Sequence, residues 1–126
     1  MGSTDTILVV DNEFDQLEMM KEILERIGFN ALTTDDPLQA VRWVRKKNVG
    51  MVLIDLIMPD LDGTELCEQI KRLRPDIHVY AYSGHVHLYS PERLHRAGFD
   101  GTINKPATME EINAALRRSM NHPATC

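Results

Sequence analysis

Four short apolar runs in this chain each lead to a side chain that can do chemistry. Ile7-Leu8-Val9-Val10 ends at Asp11-Asn12-Glu13, and Met51-Val52-Leu53-Ile54 ends at Asp55. Ile77 to Tyr82 ends at Ser83, and Phe99 to Ile103 ends just before Lys105-Pro106. Two or more oxygen ligands suit a hard cation, Mg2+ above all, with water completing its octahedron. A carboxylate beside such a cation can attack phosphorus and form an aspartyl phosphate. The cation and a lysine ammonium neutralise the phosphoryl oxygens, which is most of what phosphoryl transfer requires. A serine hydroxyl can hydrogen-bond the new phosphoryl group and move its loop. Each residue also has a plainer reading: Asp11 as a helix cap, Asp55 as an acceptor for a loop amide, Lys105 as a solvated lysine. Their occurrence together at four strand ends favours one shared pocket.

The elements that must position them follow from periodicity. Phe14, Leu17, Met20, Ile23, Leu24 and Ile27 recur at helical spacing, and Gly28 is placed to end that helix. Ala31-Leu32-Thr33-Thr34 reads as a weak second strand ending at Asp35-Asp36. Asp36-Pro37 reads as N-cap and first helical residue, with Leu38, Val41 and Val44 behind. Asp62 caps a third helix, with Glu65 in a box-like position, Leu66, Ile70 and Leu73 as its stripe, and Pro75 closing it. Ser90-Pro91 opens a short helix that Gly98 ends. Thr108 and Glu111 form a capping box before Met109, Ile112 and Leu116. Five strands alternating with five helices imply an α/β domain with a doubly wound parallel sheet covered on both sides. Ligands of such sheets bind beyond the carboxyl ends of the strands, where these side chains stand.

With 126 residues the chain is the size of one domain. Its organisation reads as an N-terminal extension over 1–6, a domain over 7–120 and a tail over 121–126. The net charge of −5 argues against nucleic acid as a direct ligand. Residues 1–63 carry twelve acids and six bases, so the negative charge gathers in the first half. No apolar run reaches the ~18 residues that span a membrane. Cys67 and Cys126 make no disulfide framework, which favours a reducing, cytoplasmic setting.

Val9-Val10-Asp11-Asn12-Glu13, the segment from Leu53-Ile54-Asp55 to Asp62-Gly63, Tyr82-Ser83-Gly84 and Asn104-Lys105-Pro106 together resemble the receiver domain of response regulators. The resemblance, which includes the chemotaxis regulators of two-component signalling, runs from about Ile7 to Met120. It implies a single flavodoxin-like (βα)5 domain with strand order 2-1-3-4-5. It implies that Asp55 takes a phosphoryl group from a partner's phosphohistidine, and that the domain is a switch and not a turnover enzyme. Mg2+, with Mn2+ as an alternative, would be held by Asp11, Asn12, Asp55 and the backbone carbonyl of Ile57. Ser83 and Lys105 would contact the phosphoryl group, and the bond to Pro106 would be cis. Partners would be a sensor histidine kinase or histidine phosphotransfer protein, and a downstream output protein or domain. The output surface would include Arg93, Arg96, Thr102, Asn113 and Arg117.

Two positions depart from the family pattern. Asn12 stands where a second acid is usual, so Mg2+ binding should be weaker. Thr102 stands where an aromatic switch residue is usual; Tyr80 and Tyr82 are nearby substitutes, although packing against helices is the commoner use of strand aromatics. Ile57 and His85 would flank the phosphoryl group and tune its hydrolysis. These departures leave an alternative, a pseudo-receiver that binds protein without phosphorylation. A flavodoxin or dinucleotide enzyme is disfavoured, because the segment after the first strand is acidic and lacks a glycine-rich phosphate loop.

Overall fold

The computed structural model describes residues 6–59 and 61–120. Residues 1–5 of the expected extension, Asp60 and the expected tail 121–126 with Cys126 lie outside the described residues. The strands are β1 (Thr6–Val10), β2 (Asn30–Thr34), β3 (Met51–Ile54), β4 (His78–Ser83) and β5 (Gly101–Asn104). The helices are α1 (Phe14–Ile27), α2 (Pro37–Lys46), α3 (Gly63–Leu73), α4 (Pro91–Ala97) and α5 (Met109–Met120), and a 3-10 turn spans Val86–Leu88. The five strands form one parallel sheet in the order β2-β1-β3-β4-β5. Expected topology and observed topology agree.

The sheet is buried on both faces because strand side chains alternate sides. Leu8, Val10, Val52, Ile54, Val79 and Ala81 pack with apolar residues of α2, α3 and α4. Ile7, Val9, Met51, Leu53, Tyr80 and Tyr82 pack with those of α1 and α5. Central β3 is therefore apolar and buried throughout, and β1 from Ile7 onward, whereas edge strand β5 buries only Ile103.

Most expected helix ends are observed. Asp36 accepts from the Leu38 N–H at 3.0 Å, and Ser90 from the Arg93 N–H at 3.1 Å. Thr108 and Glu111 exchange both bonds of a capping box, at 2.8 and 3.0 Å. Gly28 and Gly98 close α1 and α4 at φ 116° and 109°, where a side chain would be strained. At α3 the N-cap forms but the expected box with Glu65 does not. Asp62 accepts from the Thr64 N–H and hydroxyl, both at 2.8 Å, while Glu65 points into solvent.

Other expectations need correction. β4 starts at His78, because the Ile77 N–H is already bonded to the Arg74 carbonyl in a turn. β5 starts at Gly101, because the Phe99 N–H bonds Leu94 and finishes α4. Phe14 and Leu38, read as members of buried stripes, are 72% and 68% exposed. Both lie in the first turn of a helix, beyond the sheet edge, where no layer covers them.

Candidate functional site

Each charged residue of the pocket is held by one backbone bond that prolongs the sheet past its strand. The Asp11 N–H bonds the Thr34 carbonyl at 3.2 Å, and the Asp55 N–H bonds the Val10 carbonyl at 3.0 Å. The Lys105 N–H bonds the Ser83 carbonyl at 3.1 Å. These side chains thus stand on rigid continuations of neighbouring strands, and they converge. The Lys105 ammonium donates to Asp11 Oδ2 at 2.5 Å and lies 3.7 Å from Asp55 Oδ2. Asp11 is 1% exposed and Asp55 8%, so both carboxylates share one ammonium in a largely desolvated place. Their other oxygens take loop amides: Asp11 Oδ1 accepts from Glu13 at 3.0 Å, and Asp55 Oδ1 from Ile57 at a long 3.4 Å. The plain reading of Asp55 as a loop-amide acceptor therefore holds alongside the pocket reading, whereas Asp11, read plainly as a helix cap, bonds the amide of Glu13, which is itself the N-cap of α1.

Ser83 is fully buried, and its hydroxyl accepts from the His85 N–H at 3.0 Å. The Lys105–Pro106 bond is cis, as the resemblance implies. Asn12, Ile57, His85 and Thr102 are exposed, and none of their side chains is brought into the carboxylate–lysine contacts. Thr102 instead lines a cavity of about 230 Å³ together with Val86, Tyr89, Leu94 and His95. Of the expected output surface, Arg93, Arg96 and Thr102 are exposed on α4 and β5. On α5 Arg117 is exposed and Asn113 half-buried; Arg117 bonds Asn113 at 3.1 Å and lies 5.4 Å from the Phe29 ring.

The donor set suits a hard cation. Two carboxylates carry two negative charges and the lysine returns one, leaving a net negative pocket of oxygen ligands. The exposed Asn12 amide and the Ile57 carbonyl would be the remaining donors for such an ion. No group of three His, Cys, Asp or Glu able to hold a metal occurs among the described residues.

Three residues that sequence reasoning gave no settled role shape the site. A side chain on Gly63 would place its Cβ 2.5 Å from the Asp55 carbonyl oxygen and 2.7 Å from Leu56 Cα. Its N–H bonds the Leu56 carbonyl at 2.8 Å, so the backbone after Asp55 is pressed against α3. The Asp-Gly pair at 62–63 was the available signal. Tyr89 donates its hydroxyl to Asp62 Oδ2 at 3.2 Å, and Arg93 lies 4.7 Å from the Tyr89 ring and 3.8 Å from the same oxygen. No local pattern announces this pairing, because 27 residues separate the partners. Tyr82 packs against the α1 and α5 side, as the commoner reading of strand aromatics holds, and its ring centroid lies 5.0 Å from the Lys105 ammonium. Burial, and then the charges of Asp11 and Asp55, push the Tyr82 hydroxyl up to about 12, so it stays neutral at ordinary pH.

Strand order and pocket place the chain in the flavodoxin-like α/β class, with its chemistry beyond the carboxyl ends of the strands. Within that class it belongs to the response regulator receiver domain family, whose model matches residues 7–117. Receiver domains are signalling modules of two-component systems and not turnover enzymes. The chain is 28% identical over 94% of its length to the DNA-binding transcriptional regulator NtrC of Azospirillum brasilense, and spans 25% of that protein. A CheY-like receiver domain from Methanospirillum hungatei superposes with a TM-score of 0.85 at 26% identity, covering 94% of each chain. The receiver domain of the sensor histidine kinase PA1611 from Pseudomonas aeruginosa, solved with magnesium in its active-site cleft, has a TM-score of 0.85 at 21% identity. It covers 94% of this chain and 99% of its own, and at that identity it speaks for the fold alone. No helix among the described residues is long and apolar enough to cross a membrane.

Proposed function

We propose that Asp55 is a phosphoacceptor, taking a phosphoryl group from a phosphohistidine of a sensor kinase or phosphotransfer protein. The carrying observation is the Lys105 ammonium set between Asp11 and Asp55, 2.5 and 3.7 Å from their oxygens. A carboxylate oxygen of Asp55 attacks phosphorus, the bond from phosphorus to the donor nitrogen breaks, and the imidazole leaves with its electron pair. Lys105 then exchanges part of its contact with Asp11 for the new phosphoryl oxygens. Bound Mg2+ would supply charge neutralisation on the phosphoryl oxygens, held by Asp11, Asn12, Asp55 and the Ile57 carbonyl. Ser83 re-aims its hydroxyl from the His85 amide toward the phosphoryl group, which carries the segment after it. Ile57 and His85, at the exposed mouth, set access of water and hence the lifetime.

The surface that changes would be read by an output protein or domain, with no direct nucleic-acid or membrane contact by these residues. The domain would occupy residues 7–120, in the cytoplasm. Incubation with acetyl phosphate and Mg2+, followed by intact mass, tests the reading. One phosphoryl adduct on the wild-type chain and none on Asp55→Ala is expected; no adduct on the wild type defeats it. The alternative, a phosphorylation-independent binding module, is favoured by the solvent-facing Asn12 and Thr102, and the same null result would select it.

A further inference from the structure

The ammonium of Lys105 has two kinds of neighbour. Asp11 and Asp55 act on it as charges, and the Tyr82 ring acts on it as an uncharged face, with its centroid 5.0 Å away. Tyr82 is 1% exposed and immediately precedes Ser83 in the chain. It pairs in register with Ile103, two residues before Lys105, so the ring stands on β4 and the lysine one residue beyond the end of the adjacent β5. The Tyr82 hydroxyl is buried and has no hydrogen-bond partner. A phenylalanine would present the same ring face without burying an unpaired hydroxyl, so the role belongs to the ring and not to the hydroxyl. The electron-rich face toward a cation accounts for an aromatic at this place, because the ring quadrupole attracts an ammonium.

We infer that Tyr82 is a positioning residue for Lys105, its ring face holding the ammonium beside Asp55 when the contact with Asp11 loosens. A carboxylate holds a cation most strongly at one short distance. A ring face holds it over a broader area, so the ammonium can shift from Asp11 toward the phosphoryl oxygens without losing its support. Because the ring is neutral, it does not compete with those oxygens as a third carboxylate would. This inference rests on the proposal that Asp55 is phosphorylated and names a further residue of that reaction.

The test measures the rate of Mg2+-dependent adduct formation from acetyl phosphate on the full chain. Tyr82 is replaced by phenylalanine and by mono-, di- and trifluorophenylalanine, which keep ring size while weakening its face toward cations. Tyr82→Phe should keep the rate within about twofold, and the trifluoro ring should lower it by about three- to tenfold. The loss should fall on the maximal rate and not on the half-saturating acetyl phosphate concentration, since Lys105 acts on the phosphoryl group in transfer. Thermal midpoints should stay level across the series, which separates positioning from packing. Tyr82→Leu should be slower than Tyr82→Phe. A rate that is flat across the fluorinated series overturns this inference alone. Absence of any adduct on the wild-type chain overturns the phosphoacceptor reading and this inference with it.

Discussion

Two connections leave the same edge of the sheet and are built in opposite ways. The segment after β3 carries Asp55 and buries Leu56 and Met58. It is pressed against Gly63, where no Cβ fits, and tied by the Gly63–Leu56 bond. β4 ends on Ser83, and in the segment that follows, Gly84, His85, His87, Leu88 and Ser90 face solvent. This segment is held by single-turn bonds and by one long-range bond, Tyr89 to Asp62. The acid therefore stands beside backbone with little freedom, and the hydroxyl stands at the root of backbone with more. A nucleophile gains from fixed geometry, whereas a responding segment must come from the less stable end of the structure. Asp62 joins the two, since it caps α3 on one side and accepts from Tyr89 on the other.

The largest expected effect tests the fixed side. Gly63→Ala should cost about 2 to 3 kcal/mol in urea unfolding, because the new Cβ meets backbone that cannot move aside. A loss below about 0.5 kcal/mol, the usual surface value, would show that this connection yields and end the contrast. Next, Asn12→Asp should raise Mg2+ affinity about tenfold by adding one charge at a partly solvated ligand position. Titration followed by Tyr or Trp fluorescence checks this, and equal affinities would remove Asn12 from the ligand set. Tyr89→Phe should cost about 1 kcal/mol for the lost bond. Amide exchange should then quicken across 84–90 and stay unchanged from Asp55 to Pro59; equal quickening in both would show one coupled unit. The smallest effect is expected for Leu88→Ser, within about 0.5 kcal/mol, since Leu88 is 62% exposed. A larger cost, read by thermal unfolding, would mean that the second connection is better packed than its exposure indicates.

Much of the fold is legible because its signals are local. The apolar runs at 7–10 and 51–54, the cap at Asp36 and the box between Thr108 and Glu111 depend on residues within a turn of each other. Phe14 and Leu38 mislead for the complementary reason. Helical spacing tells which side of a helix a residue occupies, but not whether the opposing layer extends that far. In the site, Asp11, Asp55, Ser83 and Lys105 were legible as strand-end residues of suitable chemistry. That Asn12, Ile57, His85 and Thr102 would face outward was not, since exposure at a sheet edge depends on how neighbouring loops fold over it.

The alternation of strands and helices, the helix caps and the polar residues at the strand ends follow from period, backbone preference and side-chain chemistry, all of them local. Which of those residues meet depends on how the strands pair in space. Asp11 and Lys105 are 94 positions apart, and parallel pairing of β1, β3, β4 and β5 brings them within 2.5 Å. It likewise set Tyr82 beside Lys105 and Tyr89 against Asp62, and left Gly63 no room for a side chain. Distances across strands and loops are fixed by packing, which no single stretch of chain contains.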